Sequence, residues 1–215
     1  MDSKLQDLAD RVIRYASKSK IQYCDVRAEQ QKRKSVLLEN NQIEHVRTSE
    51  DNGIGIRILK DNIWKFCSIT NPQSFDQIKD AIDNSIRNTK YTKNEKINLY
   101  PNTVNKNKIN YPVLKKPELE NIIKIGLECN KIISGVEKII KSSVNPWYTV
   151  NSKYFVNSEG SEILQNFTDT VIEMVATSHE SGITQSVNRT EGGRGGMEQI
   201  TTDEKTRKNS IYQRK

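Results

Sequence analysis

Residues 53–69 read GIGIRILKDNIWKFCSI. Ile54, Ile56 and Ile58 alternate with Gly55, Arg57 and Leu59, which is the period of a strand with one buried face. Asp61-Asn62 supplies a turn, and Ile63 to Ile69 form the returning strand. The stretch also begins like a GxGxxG dinucleotide fingerprint, at Gly53 and Gly55. The third glycine is missing, and the segment is itself strand-like instead of opening a helix. The glycines therefore read as small residues on a crowded sheet face or at a bulge.

Upstream, Val36 and Leu38 lead into Glu39-Asn40-Asn41-Gln42, followed by Ile43 and Val46. Asparagine tolerates the positive φ of tight turns, so a second hairpin is expected here. Residues 3–18 carry Leu5, Leu8, Ala9, Val12, Ile13 and Ala16 on one helical face, with Ser3 and Gln6 as a capping box. Downstream, residues 74–88 return to helical spacing through Phe75, Ile78, Ile82 and Ile86, with Ser74 and Gln77 as a capping pair. The stretch 89–117 is rich in Asn and Lys, holds Pro101, Pro112 and Pro117, and reads as a long connection. A third helix is expected from about Pro117 to Ile133, with Pro117 at its first position and Leu119, Ile122, Ile123 and Leu127 facing the core.

From Val136 strands resume. Lys153–Val156 and Ser161–Gln165 pair across Asn157-Ser-Glu-Gly160, and a long strand runs from Asp169 to about Ser181. The order is one helix, four strands, a helix, a connection, a helix, then strands. Helices set between antiparallel runs predict an α+β fold with about three helices.

The chain has 215 residues, a formal net charge of +7 and a mean hydropathy of −0.75. Part of the positive excess lies at the end, where Lys205, Arg207, Lys208, Arg214 and Lys215 face only Asp203 and Glu204. The remainder is dispersed, which serves solubility and gives no reason to expect a nucleic-acid partner. Cys24, Cys67 and Cys129 are scattered and form no CxxC, as expected of thiols in a reducing cytoplasm. The N-terminus has no apolar signal-like segment, and no apolar run approaches the roughly 20 residues of a membrane span. A cytoplasmic, membrane-free protein is expected.

Chemical motifs are sparse. Residues 191–196 read EGGRGG, but lack the Lys-Ser/Thr of a phosphate loop and occur once, unlike an RNA-binding RGG tract. His179-Glu180 starts like a zinc helix, yet the second histidine would have to stand at Ile183 or Thr184. His45 and His179 both fall in strand patterns and read as solvent-facing. Glu159, Glu162 and Glu173 are ordinary on an alternating sheet, and no nucleophile stands out. No catalytic or metal-binding residue is expected from the chemistry.

The stretch 39–70, ENNQIEHVRTSEDNGIGIRILKDNIWKFCSIT, resembles the N-terminal signature of the TldD/PmbA family, whose members are also described as modulators of DNA gyrase. Asn62 and Lys65 stand where the family pattern has glycines. The later NSEGSEILQ, VIEMVATSHESGITQS and EGGRGGME resemble the second part of the same region. The resemblance covers roughly residues 3–200 and is closer to the TldD branch. It implies a zinc metallopeptidase acting on peptides or unfolded polypeptide, paired with a TldD/PmbA-type subunit as a homo- or heterodimer. In that family zinc is held by HExxxH and a later cysteine, which lie downstream of the region matched here, and this sequence holds no HExxxH. The resemblance thus implies zinc for the full-length family member and no cofactor in this chain.

The expected organisation is an N-terminal domain over 1–200, a charged and disordered tail over 201–215, and a catalytic C-terminal domain that is absent. The domain would supply scaffold and part of a substrate channel. Gly193, Arg194 and Gly195 would lie in a flexible loop contacting a substrate or the missing domain. An alternative is a stand-alone interaction domain that pairs with a TldD/PmbA-type subunit through unpaired strand edges at 36–47 or 169–181. A third reading is a basic RNA-binding module built on Arg194 and the tail.

Overall fold

The computed structural model describes residues 1–19, 21–87, 97–100 and 103–201. The elements are α1 (Ser3–Lys18), β1 (Tyr23–Glu39), β2 (Gln42–Lys60), β3 (Ile63–Thr70), α2 (Phe75–Arg87), β4 (Lys106–Asn110), α3 (Leu119–Ser134), β5 (Ile139–Asn157), β6 (Glu162–Glu180) and β7 (Ile183–Arg194). A 3-10 turn over Met197–Gln199 follows. The strands form one sheet in the order β3-β2-β1-β5-β6-β4, with β7 also paired to β6. This is the expected α+β architecture with three helices. Of the connection read over 89–117, residues 89–96, 101 and 102 lie outside the described residues, as does the tail after Thr201.

Both hairpin turns form where the Asn-rich pairs stand. Asn40 and Asn41 have φ of 47° and 66°, and Asp61 and Asn62 have 53° and 58°. Two successive positive φ values match the twist of the flanking strands. β2 and β3 pair antiparallel from Gly53 opposite Thr70 to Lys60 opposite Ile63.

Three strands, not four, precede α2. The strand expected after the Asn40-Asn41 turn and the one expected from Ile54 are a single strand, β2. Every residue from 42 to 51 is exposed, so no inward-outward period marks the strand. β4 was not expected within the connection. It joins β6 in parallel, with Lys106 opposite Glu162 and Asn110 opposite Asn166.

Two compact units are distinguished, and each has its own core. The first comprises Met1–Gln31, the described residues of Asp51–Asn110, and Asn151–Asn166. Its core joins Leu5, Leu8, Ala9, Val12 and Ala16 of α1 to Val26, Ile54, Ile56 and Ile58 of the strands and to Ile78 and Ile82 of α2. The cap of α1 is Asp2, not the expected Ser3: its carboxylate accepts the Lys4 N–H at 2.9 Å. At α2 Ser74 Oγ accepts the Gln77 N–H, while Gln77 Oε1 reaches back to the N–H of Gln73, one residue further out than the expected pair. The Tyr154 and Tyr15 hydroxyls donate to Asp10 and Asp83 at 2.8 and 2.6 Å, tying both helices down.

The second unit comprises Lys32–Glu50, Tyr111–Val150 and the described residues from Phe167 onward. Its core gathers Val36, Leu38, Val144, Tyr148, Ile172, Met197 and Ile200 around Ile122 of α3. Helix α3 begins at Leu119 with Glu118 as N-cap, so Pro117 precedes the helix instead of taking its first position. The face of α3 includes Gly126 and Asn130 as well as Ile122, at four-residue spacing.

Burial pushes the Cys24 thiol up to about 12. An unfolded thiol ionises near its ordinary value of about 8.5. Between those values the unfolded chain releases a proton that the folded chain retains, so stability falls as pH rises. Burial and the neighbouring Asp10 raise the Tyr154 phenol in the same direction. Urea midpoints measured from neutral to strongly alkaline pH are expected to fall steadily. A Cys24→Ala chain is expected to lose stability overall and to show a shallower alkaline slope. Parallel curves for the two chains would contradict this origin of the slope.

Candidate functional site

The segment singled out by its glycines is anchored within the second unit. Gly193 and Arg194 close β7, opposite Thr170 and Asp169. The Arg194 guanidinium lies 4.1 Å from the Phe167 ring centre and 4.7 Å from that of Tyr111. Those two rings meet edge to face at 6.1 Å, and Asp169 approaches Arg194 Nε at 3.4 Å. A cation held between aromatic faces beside a carboxylate keeps its charge and loses its freedom. The flexible loop expected here is thus a strand end with a stacked arginine, whose side chain remains 44% exposed.

Gly195 and Gly196 continue into a tight clasp. The Gly195 N–H donates to the Thr168 carbonyl at 2.8 Å, and Thr170 Oγ1 donates to the Gly195 carbonyl at 2.9 Å. The carboxylate of Glu198 is buried and accepts backbone N–H groups from Leu114, Lys115 and Gly196, at 3.3, 3.0 and 2.6 Å. Three N–H donors satisfy a buried carboxylate without a cation. The sequence reading missed Glu198, because nothing near it in the chain announces its partners.

A second feature is more open. β3 pairs only with Gly53–Lys60, so residues 42–52 of β2 have β1 alone as their strand neighbour among the described residues. Beside this edge the second unit forms a cleft of about 440 Å³, reached by Thr48, Ser49 and Glu50 of β2. Val113, Pro117, Val150 and Tyr148 make its floor, and Lys32, Lys34 and Lys116 stand around it. A wider depression of about 650 Å³ exposes His45 beside Arg33 and Arg47. No carboxylate lines it, so a base oriented by Asp or Glu does not form there. The edges named from sequence shift accordingly. Among the described residues the free edge of the first hairpin lies on β2 over 42–52, and 169–180 is covered by β7, whose own outer edge has no strand neighbour.

His179 lies far along β6 with Nδ1 2.9 Å from Thr184 Oγ1. Among the described residues no three His, Cys, Asp or Glu side chains converge as a metal site. Zinc therefore does not fit the described part of this chain. No described helix is long and apolar enough to cross a membrane.

Residues 24–89 match the family described as PmbA/TldA metallopeptidase domain 1. Over those residues the chain is similar to the first domain of TldD/PmbA-type proteins. Solved structures share the chain's fold. A protein of Thermotoga maritima described as a modulator of DNA gyrase aligns over 88% of the chain with a TM-score of 0.68 and 13% identity. A Bacteroides thetaiotaomicron protein of the same description aligns over 89%, with a TM-score of 0.68 and 17% identity. TldE of Thermococcus kodakarensis aligns over 86%, with a TM-score of 0.63 and 12% identity. The chain spans 43%, 45% and 42% of those three proteins, less than half of each. No curated protein sequence matches it.

Proposed function

We propose that this chain acts as the non-catalytic N-terminal part of a TldD-type zinc metallopeptidase, holding peptides or unfolded polypeptide for proteolysis by residues it does not itself contain. The match of residues 24–89 to the first domain of a metallopeptidase family carries this reading. The uncovered β2 edge supports it, because a strand edge offers evenly placed N–H and C=O groups to any extended chain regardless of sequence. The cleft beside that edge gives side chains a place to go. The described free thiols, Cys24, Cys67 and Cys129, suit action in a reducing cytoplasm.

The purified 215-residue chain is expected to bind labelled, unfolded casein and to leave it uncut when zinc is added. Zinc-dependent cleavage by this chain alone would overturn the non-catalytic role. Absence of casein binding would overturn the peptide-holding role.

A second reading rests on β7. Among the described residues its outer edge has no strand neighbour, and Ile183 and Val187 are 64% and 71% exposed. Exposed apolar side chains on an open edge favour a protein partner, here a TldD/PmbA-type subunit. Charged residues at Ile183 and Val187 are expected to abolish co-purification with such a subunit and to leave casein binding unchanged.

A further inference from the structure

The charge around the cleft is one-sided. Lys32, Lys34 and Lys116 line the cleft with a single carboxylate, Glu50, which Lys32 already engages at 3.0 Å. Arg33, between Lys32 and Lys34 in sequence, turns to the opposite face of β1, where it rests over the Trp147 ring at 4.2 Å. Lys34 and Lys116 have no ion-pair partner among the described residues. Below them lie the aliphatic surfaces of Val113, Pro117 and Val150. Cations gathered over a low-dielectric floor produce a field that draws in anions.

We propose that this cleft selects acidic side chains of an extended peptide laid along the β2 edge at 42–49, with carboxylates against Lys34 and Lys116 and apolar side chains on the floor. The proposal rests on the peptide-holding reading and gives it a substrate class. A nucleic-acid strand would satisfy the same charge, but bases bind by stacking on open aromatic faces. The floor is aliphatic, and its one aromatic, Tyr148, is only 8% exposed. A peptide uses all three features: the charge, the aliphatic floor and the uncovered backbone edge. Alternate residues of an added strand face the same side, so acidic and apolar side chains can both reach the cleft.

The test uses the full chain and a fluorescein-labelled decapeptide of Thr, Glu and Val, with matched peptides carrying Gln or Lys in place of Glu. Fluorescence anisotropy is expected to show the Glu peptide binding about tenfold more tightly than the Gln peptide, the effect of two partly exposed ion pairs. The Lys peptide is expected to bind more weakly still, and raised salt is expected to remove the preference. Lys34→Glu with Lys116→Glu, checked for native circular dichroism, is expected to abolish the Glu preference while retaining affinity for the Gln peptide. Equal binding of the Glu and Gln peptides would overturn acidic selection and leave the peptide-holding reading standing. No binding of any peptide would overturn both. Tighter binding of oligouridine than of the Glu peptide would overturn the peptide as occupant, as would a preference that survives the double substitution.

Discussion

Gly196→Ala is expected to destabilise the second unit by about 3 kcal/mol, with a fall of roughly 6–12 °C in Tm. A Cβ at this position would run into the Lys115 carbonyl oxygen and approach Val113 Cγ1 at 2.7 Å and the Lys115 carbonyl carbon at 2.9 Å. Two of those three atoms are backbone, which cannot swing aside as a flexible side-chain tip can. The backbone is also pinned from both directions. Met197 N–H donates to the same Lys115 carbonyl at 2.8 Å, while Glu198 gathers the N–H groups of Leu114, Lys115 and Gly196. Relieving the collision means separating residues 113–115 from 195–198, which strands a buried carboxylate and its donors at about 1–3 kcal/mol for each unsatisfied group. Gly182→Ala is the control. That residue has φ of 80° with nothing within 4 Å of an added Cβ, so only the backbone term of about 1 kcal/mol applies. Hydrogen exchange supplies the local readout, with the Leu114 and Lys115 amides losing protection in Gly196→Ala. A variant that melts with the unsubstituted chain and keeps those amides protected would show that the clasp is not closed as described.

The clasp also shows what the sequence could convey. Paired turn residues are local signals, and Asn40-Asn41 and Asp61-Asn62 mark their hairpins because few residues accept two positive φ values in succession. The stripes of α1 and α2 were legible for a related reason, since Leu5, Leu8, Val12, Ile78 and Ile82 repeat at helical spacing within one element. The strand after the first turn is legible at Ile43 and Val46, but its continuation through 47–52 into Gly53–Lys60 is not, because residues 42–51 have no buried face to set a period. β7 has the same problem, being exposed from Ile183 to Thr190 and ending in glycines that imitate a loop. Gly192 at its end would bring an added Cβ against the Thr170 carbonyl oxygen, so this glycine marks a close strand approach and not flexibility. Of the site, Arg194 was visible from its glycine setting, but Phe167, Tyr111 and Asp169 around it were not. The cleft is further from legibility. Lys34, Lys116 and Val150 come from three distant segments, and only the folded second unit puts them together.

Asn130→Leu is expected to cost about 3 kcal/mol, although the two side chains are similar in volume and Asn130 lies on an apolar helix face. Asn130 is fully buried. Its Oδ1 accepts the Asn41 N–H at 2.6 Å and the Ser142 hydroxyl at 3.0 Å, and its Nδ2 lies 3.4 Å from the carbonyls of Leu38 and Ser142. One amide thus serves the β1–β2 turn, β1 and β5 from helix α3. Leucine would fill the space and leave the turn N–H without its acceptor, a loss that added apolar contact does not restore. The turn itself would then be held chiefly by Asn41 Nδ2 on Ser134 Oγ at 2.7 Å and by the Asn40 contacts with Ser142. Turn geometry sets hairpin register, and a one-residue slip exchanges the two faces of a strand. The residues beside the turn, 42–49, are the edge proposed to receive a peptide, and little burial fixes them from either side. Asn130→Leu is therefore expected to expose the Asn41 amide to exchange and to weaken casein binding at temperatures where most of the chain is still folded. Asn130→Ala should behave in the same way, because the lost acceptor and not the altered shape is responsible. Unchanged Asn41 protection in both variants would mean that the helix anchors this hairpin by packing alone.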